Sequence, residues 1–307
     1  ATNLLVRTTL VNDTVADNNE TVSLSVTPTG GTAVTGTATI KDDGTGDLFN
    51  ADGTLDTTTP KNDDRSLTVS SPTINEGSQY AVFSVGLTSG QNVSLALANG
   101  SATGGTTSPT DGSVDFANNA LQYSLDGGAN WTSYTTAFNA TLINSATNLL
   151  VRTTLVNDTV ADNNETVSLS VTPTGGTAVT GTATIKDDGT GDLFNADGTL
   201  DTTTPKNDDR SLTVSSPTIN EGSQYAVFSV GLTSGQNVSL ALANGSATGG
   251  TTSPTDGSVD FANNALQYSL DGGANWTAYA AAFNATLTNG ATNLLVRTTL
   301  VNDTVAD

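Results

Sequence analysis

The sequence predicts an all-β protein made of tandem antiparallel β-sandwich units, and three observations carry that expectation. Apolar residues alternate with polar ones in short clusters, the period of a half-buried strand, and no stretch of useful length has helical spacing. Turn-forming Gly, Asn, Asp, Ser and Pro recur roughly every eight to twelve residues. The segment ATNLLVRTTLVNDTVAD stands at 1, at 146 and at 291, which fixes a repeat of 145 residues.

The two full periods differ at five places: Ser133 against Ala278, Thr135 against Ala280, Thr136 against Ala281, Ile143 against Thr288, and Ser145 against Gly290. Such identity describes an array of equal parts. Neither Ala1 nor Asp307 falls at a Gly, Pro or charge boundary, so the chain is expected to be a piece of a longer protein.

Composition narrows the chemistry. With no Cys, Met or His, the chain offers no disulfide, thiolate or imidazole metal site and no imidazole catalyst, and oxygen ligands are what remains. Thirty acidic residues against nine basic ones give a formal charge of -21, which repels a phosphate backbone and makes nucleic acid an unsuitable partner. No apolar run is long enough to span a membrane. Apolar residues still make up 35%, clustered as a folded chain needs them.

One unit reads as follows. Leu67, Val69 and Ile74 form an irregular first strand that Pro72 interrupts. Residues 80–85 (YAVFSV) and the alternating Val93, Leu95 and Leu97 flank the turn Thr88-Ser89-Gly90-Gln91 and read as a hairpin. After a breaker-rich stretch at 99–112, Val114-Asp115-Phe116 and 121–125 give two short strands, and the 126–130 turn brings Trp131 and Tyr134 back as packing residues. Phe138, Ala140 and Leu142 keep period two, 149–155 is a more continuous apolar strand, and Val167, Leu169 and Val171 alternate cleanly with Thr and Ser before a closing strand at 178–185. The expected core is Phe83, Leu95, Phe116, Tyr123, Trp131, Leu150, Leu169 and Ile185.

In this phasing, residues 1–43 are the last strands of an incomplete unit, 44–62 a linker, 63–188 a complete sandwich, 189–207 a second linker, and 208–307 a unit lacking its last strands. Missing strands leave apolar faces and backbone groups uncovered. The expected partners are therefore neighbouring repeats of the same protein. Head-to-tail self-association is also open, with the strands in 1–43 of one chain completing the last unit of another.

Carboxylates gather at strand ends: Glu76 in Asn75-Glu76-Gly77, Asp115, the run Asn157-Asp158 through Asp162 to Glu165, and Lys186-Asp187-Asp188-Gly189. Brought to one pole of a protein this acidic, they would repel one another unless a cation were bound, and calcium suits hard oxygen ligands drawn from several loops. The plainer alternative is that these Asp and Asn cap turns and keep the surface solvated.

On four features in order, the unit resembles the Calx-beta repeat, found in tandem in very large secreted or surface-attached bacterial proteins, adhesins included. They are Asn75-Glu76-Gly77-Ser78, Val114-Asp115-Phe116 with Phe in place of Tyr, Asn157-Asp158 followed by Asp162 and Glu165, and Thr184-Ile185-Lys186-Asp187-Asp188. The resemblance implies a two-sheet sandwich holding calcium at one end through Glu76, Asp115, Asp158, Asp162, Asp187 and Asp188. One period later the equivalents are Glu221, Asp260, Asp303 and Asp307. It departs from the family at Asn157, where an acid is expected, and at Asp162, where Glu is usual. Glu165 is set apart as a residue able to point away from the others.

The second linker offers another oxygen-rich run in Asp188, Asp192, Asn195, Asp197 and Asp201, a weaker candidate for an ion that stiffens the joint. Asn12, Asn19, Asn92, Asn99, Asn130 and Asn139 fit the glycosylation pattern, as this composition produces by chance. The threonine-rich stretch 177–184 reads as a solvated strand face. Catalysis has little to stand on, because the few lysines, Lys61, Lys186 and Lys206 with Lys41 at the position equivalent to Lys186, lie in linkers or at a strand edge. The functional expectation is a non-enzymatic, calcium-rigidified extender on a bacterial surface or outside the cell, serving adhesion or a filament. Its rival is a repeated glycan- or protein-binding module using the loops at 101–110 and 126–130.

Overall fold

A computed structural model of the chain describes residues 4–106, 112–251 and 257–302. These residues form β-strands and turns and include no helix, and none of them builds a helix long and apolar enough to cross a membrane. The chain divides into two compact units, Ala1–Lys186 with Gly191–Lys206, and Asp187–Thr190 with Asn207–Asp307.

The first unit contains a sandwich of two five-stranded sheets. One runs Thr132–Ser133, Gln122–Ser124, Leu149–Thr154, Tyr80–Gly86, Thr68–Val69; the other runs Phe138–Ala140, Gln91–Asn99, Glu165–Pro173, Val179–Lys186, Thr73–Asn75. Pro72 marks the point where the first strand changes sheets. Thr68–Val69 pairs with Tyr80–Gly86, whereas Thr73–Asn75 lies parallel to Val179–Lys186 with Ile74 opposite Ile185.

The alternation in the sequence becomes the core directly. Ile74, Phe83, Val85, Val93, Phe116, Leu149, Val151, Val167, Leu169 and Val171 are fully buried between the sheets, each such side chain stabilising the fold by roughly 1.5–3 kcal/mol. Leu95 and Ile185 join them, and Tyr123 packs at the edge with its ring stacked 3.8 Å from that of Phe138.

Three expectations change. Residues 80–86 and 91–99 do not form a hairpin: they lie in opposite sheets, and the Thr88 to Gln91 turn carries the chain across the sandwich. Leu150 is not in the core, because Leu149 and Val151 take the inward positions of that strand. Trp131 packs on the outer face, where the Arg152 guanidinium lies between its ring, 4.0 Å away, and that of Tyr80, 3.9 Å away.

The stretch read as the second linker folds onto that outer face as an arm. Leu193–Phe194 pairs with Leu200–Asp201, Leu193 is buried, Asn75 N donates to Asp192 O, and Asp192 N donates to Thr73 O, both at 2.9 Å. Arg152 Nη1 donates to the Ala196 carbonyl, and Phe194 N donates to Ser78 Oγ at 3.0 Å. Gly128 makes room for the arm, since a Cβ there would fall 1.6 Å from the Asp197 carbonyl oxygen.

Ahead of the sandwich, Glu20–Val26 and Val34–Ile40 form a hairpin in the same register as Glu165–Pro173 with Val179–Lys186. Its apolar side is open: Leu24 is 47% exposed, whereas Leu169 in the same sequence is 0% exposed. The second unit keeps one five-stranded sheet, Thr213–Val214, Tyr225–Gly231, Leu294–Thr299, Gln267–Ser269, Thr277–Ala278. Opposite it, among the described residues, stands only Asn237–Val238 paired with Phe283–Asn284.

Candidate metal centre

Three acids converge at one end of the complete sandwich: Asp115, Asp162 and Glu165 each offer a carboxylate oxygen within 4.8 Å of the other two. Their positions follow from local folding. Glu165 opens the Glu165–Pro173 strand with the same parity as Val167, Leu169 and Val171, so its side chain continues the inward row past the end of the core. Asp115 precedes the Phe116–Ala117 strand and is held by its backbone, which donates to Thr103 O at 2.8 Å and accepts from Val156 N at 2.9 Å. Asp162 is turned in by its own N–H bond to Val160 O at 3.0 Å.

Crowding three carboxylates raises the affinity of the site for a positive charge. Burial, then the charge of Asp115 and a hydrogen bond with it, push the Glu165 carboxyl up to about 8, with Asp162 and Asp158 adding to the rise. At neutral pH a proton on Glu165 relieves the repulsion, and a cation would take that proton's place. The donor set is all oxygen and comes from two segments, one carrying Asp115 and the other Asp162 and Glu165, a set able to hold a hard cation.

Glu76 and Asp158, both buried, support this end of the sandwich: Asp158 N donates to Glu76 Oε1 at 2.8 Å, and Asp158 Oδ1 accepts from Val160 N at 2.7 Å. Glu76 itself is seated by its N–H on Lys186 O at 2.8 Å. Of the residues implied by the family resemblance, the first unit therefore brings Asp115 and Asp162 together, and separately joins Asp158 to Glu76. Glu165, set apart in the sequence, stands in the cluster because its parity is inward.

Asp187 and Asp188 belong to the second unit. There Asp209 N donates to Asp187 Oδ1 at 3.3 Å, Asp188 forms an antiparallel bridge with Asp208, and Arg210 ties Asp208 by an ion pair of 2.7 Å and the Asp188 carbonyl at 2.9 Å. The first unit repeats this knot with Asp42, Asp43, Asp63, Asp64 and Arg65. Asp42 is buried, one of its oxygens has no hydrogen-bond partner, and burial followed by the charge of Asp64 raises its pKa. Asp64 and Asp209 escaped the sequence reading, although the Asn-Asp-Asp-Arg run at 62–65 and 207–210 was the signal for them.

The oxygen-rich run of the arm is engaged in turns. Asp197 accepts from Thr199 N and Oγ1 at 2.9 and 2.6 Å, and Asp201 from Thr203 N and Oγ1 at 2.8 Å each. The Thr199 bonds hold the Asp197 carboxyl below the usual range, and the Thr204 hydroxyl, followed by the Thr203 and Thr204 amides, does the same for Asp201. Asn195 Nδ2 donates to Thr199 Oγ1 at 3.2 Å, and Asp192 bonds through its backbone. Among the described residues the acids of the arm form no group of three.

In the second unit Asp260 keeps its backbone bonds to Thr248 and Val301, but Glu221 is exposed. Asp303 and Asp307 lie outside the described residues, as do residues 107–110 of the first proposed binding loop. In the other loop, Asp126 is capped by Asn130 at 2.9 and 2.6 Å and its pKa is lowered by those bonds. No protein-family model matches the chain, and no curated protein matches it.

Proposed function

We propose that this chain is a structural extender of a bacterial surface or extracellular protein, a run of β-sandwich repeats of Calx-beta type stiffened by calcium. The observation that carries the reading is the convergence of Asp115, Asp162 and Glu165 at the end of a complete sandwich. Asp115 comes from the body of the sandwich, whereas Asp162 and Glu165 arrive with the closing strands. Bound calcium would tie those parts together and neutralise their repulsion; Glu76 and Asp158 hold the surrounding backbone in place. The arm adds a second stiffening element that needs no metal, since Arg152 fastens residues following the sandwich to its outer face. Repeats this uniform suit length better than a unique binding surface. No catalytic role is part of this reading.

The test is thermal unfolding of the chain in calcium and in chelator. Because only the folded state gathers the three acids, calcium at a hundredfold excess over its Kd adds about 2.7 kcal/mol, a rise of several degrees. A melting curve unmoved by chelator contradicts the proposal.

A further inference from the structure

Between the last strand of one repeat and the first strand of the next, the chain makes a closed detour. Asp43 and Asp63 stand opposite each other in an isolated antiparallel bridge, although they are twenty positions apart in sequence. Gly44 N donates to Asn62 O at 2.8 Å, Asp64 N to Asp42 O at 3.4 Å, and Asn62 Nδ2 to Asp42 Oδ1 at 3.2 Å. A pull along the backbone therefore passes from 43 to 63 across the bridge, and the loop between them carries no tension.

That loop is the arm. In its first copy Leu48–Phe49 pairs with Leu55–Asp56, and the Arg7 guanidinium donates to the Ala51 carbonyl. In its second copy Leu193–Phe194 pairs with Leu200–Asp201, and Arg152 donates to the Ala196 carbonyl. The chain closes behind this copy too, through the Asp188–Asp208 bridge and Gly189 N on Asn207 O at 2.9 Å.

Bridge and sandwich resist a pull very differently. The Glu165–Pro173 strand pairs with a neighbour on either side along its length and buries Val167, Leu169 and Val171. The bridge is one residue pair wide, has no apolar side chain in Asp42–Gly44 or Asn62–Arg65, and sets the like charges of Asp42 and Asp64 against its closure. Its two outer ends leave from the same side, as in any antiparallel pair closed by a loop, so tension opens its bonds one after another. The arm loses little by leaving, since residues 45–61 carry only Leu48, Phe49 and Leu55 as large apolar side chains.

We infer that each arm is a reserve of chain length: under tension the Asp43–Asp63 bridge and its copy at Asp188–Asp208 unzip and release their arms while the complete sandwich stays folded. Twenty extended residues span about 66–72 Å against the ~5 Å bridged when closed, a gain of about 60 Å for each arm. Below the opening load the arm stays docked and the chain stiff; above it the chain lengthens without exposing a core. Load reaches the bridges only if the chain is an extender, as proposed above, whereas their opening under force is a property of the bridge itself.

The absence of cysteine lets one disulfide lock one reserve. Flanked by the two backbone bonds, Asp43 and Asp63 are a non-hydrogen-bonded pair, whose Cα atoms lie about 4.5 Å apart and within disulfide reach. Held by its ends in an optical trap and stretched in calcium, the unmodified chain is expected to lengthen in two reversible steps of about 60 Å each, below the force that ruptures the complete sandwich. Oxidised Asp43→Cys, Asp63→Cys chain should lose one step and keep the other, as should oxidised Asp188→Cys, Asp208→Cys chain. Reductant added to either at a holding force between opening and rupture should release the missing length of about 60 Å at once. An unmodified chain with no step of that length below rupture, an oxidised variant that keeps both steps, or reduction that releases no length would each overturn the inference. A melting curve unmoved by chelator would leave the steps in place, so the calcium reading and the length reserve fail separately.

Discussion

The complete sandwich and the trailing unit have nearly the same sequence, yet one has two full sheets and the other has one sheet and a remnant. The sheet built by Tyr225–Gly231 and Leu294–Thr299 survives because all its strands are present. In the opposite sheet residues 236–244, identical to 91–99, are strand only at Asn237–Val238, with no counterpart of Glu165–Pro173 among the described residues to pair with. Strand formation here is decided by the neighbour a segment pairs with and packs against, not by the segment itself. The acid cluster follows the same rule, since two of its three members travel with the closing strands.

The largest effect expected from this contrast concerns one leucine in two settings. Leu169→Ala should cost the complete sandwich about 2–5 kcal/mol by opening a cavity in a closed core. Leu24→Ala, in the exposed hairpin, should cost under about 0.5 kcal/mol in the monomer. Chemical denaturation of dilute protein checks both, and equal costs would erase the distinction between the settings.

Next in size is the arm. Arg152→Ala removes the guanidinium from between Tyr80 and Trp131 together with the bond to Ala196, with an expected cost of about 1–3 kcal/mol. Arg297 makes the same ring contacts with Tyr225 and Trp276 at 4.0 Å, but no arm carbonyl is bonded to it among the described residues. Arg297→Ala should therefore cost less. Val82, 5% exposed against 39% for Val227, already reflects the difference in cover. Proteolysis within 193–201 should accelerate in Arg152→Ala and not in Arg297→Ala.

The smallest effect is a pH dependence confined to the complete sandwich. The Glu165 carboxyl is raised in the folded state to about 8, above its range in an unfolded chain, so the folded protein without metal binds the extra proton between those values. Stability from this group is present at low pH and is lost as pH rises toward 8. Calcium displaces the proton, so its affinity should rise with pH over the same window, with proton release visible in buffers of different ionisation heat. Glu165→Gln should flatten both dependences; an unchanged slope would remove Glu165 from the site.

Much of this architecture was legible because period-two patterning survives in Val167, Leu169 and Val171 and turn residues punctuate every strand. Sheet membership was not, since a Thr-Ser-Gly-Gln turn serves equally to fold a strand back on its neighbour or to throw it across to the other sheet. Leu150 was misassigned because the run Leu149-Leu150-Val151 carries no parity signal. The arm was hidden because Leu193 and Phe194 are too short an apolar pair to announce a docked hairpin. At the site, Asp115 and Asp162 were readable from motif order. Glu165 needed the strand's inward parity, and Asp64 and Asp209 needed the chain path that brings them to Asp42 and Asp187.

Calcium titration calorimetry on two matched variants tests most directly whether the closing strands make the cation site. In the dilute, monomeric chain, Asp115→Asn should lower the calcium stoichiometry, because Asp115 meets Asp162 and Glu165 in the finished sandwich. Asp260→Asn, the same change one repeat later, should leave it as it was. Equal losses in the two variants, or no loss in either, would contradict the account.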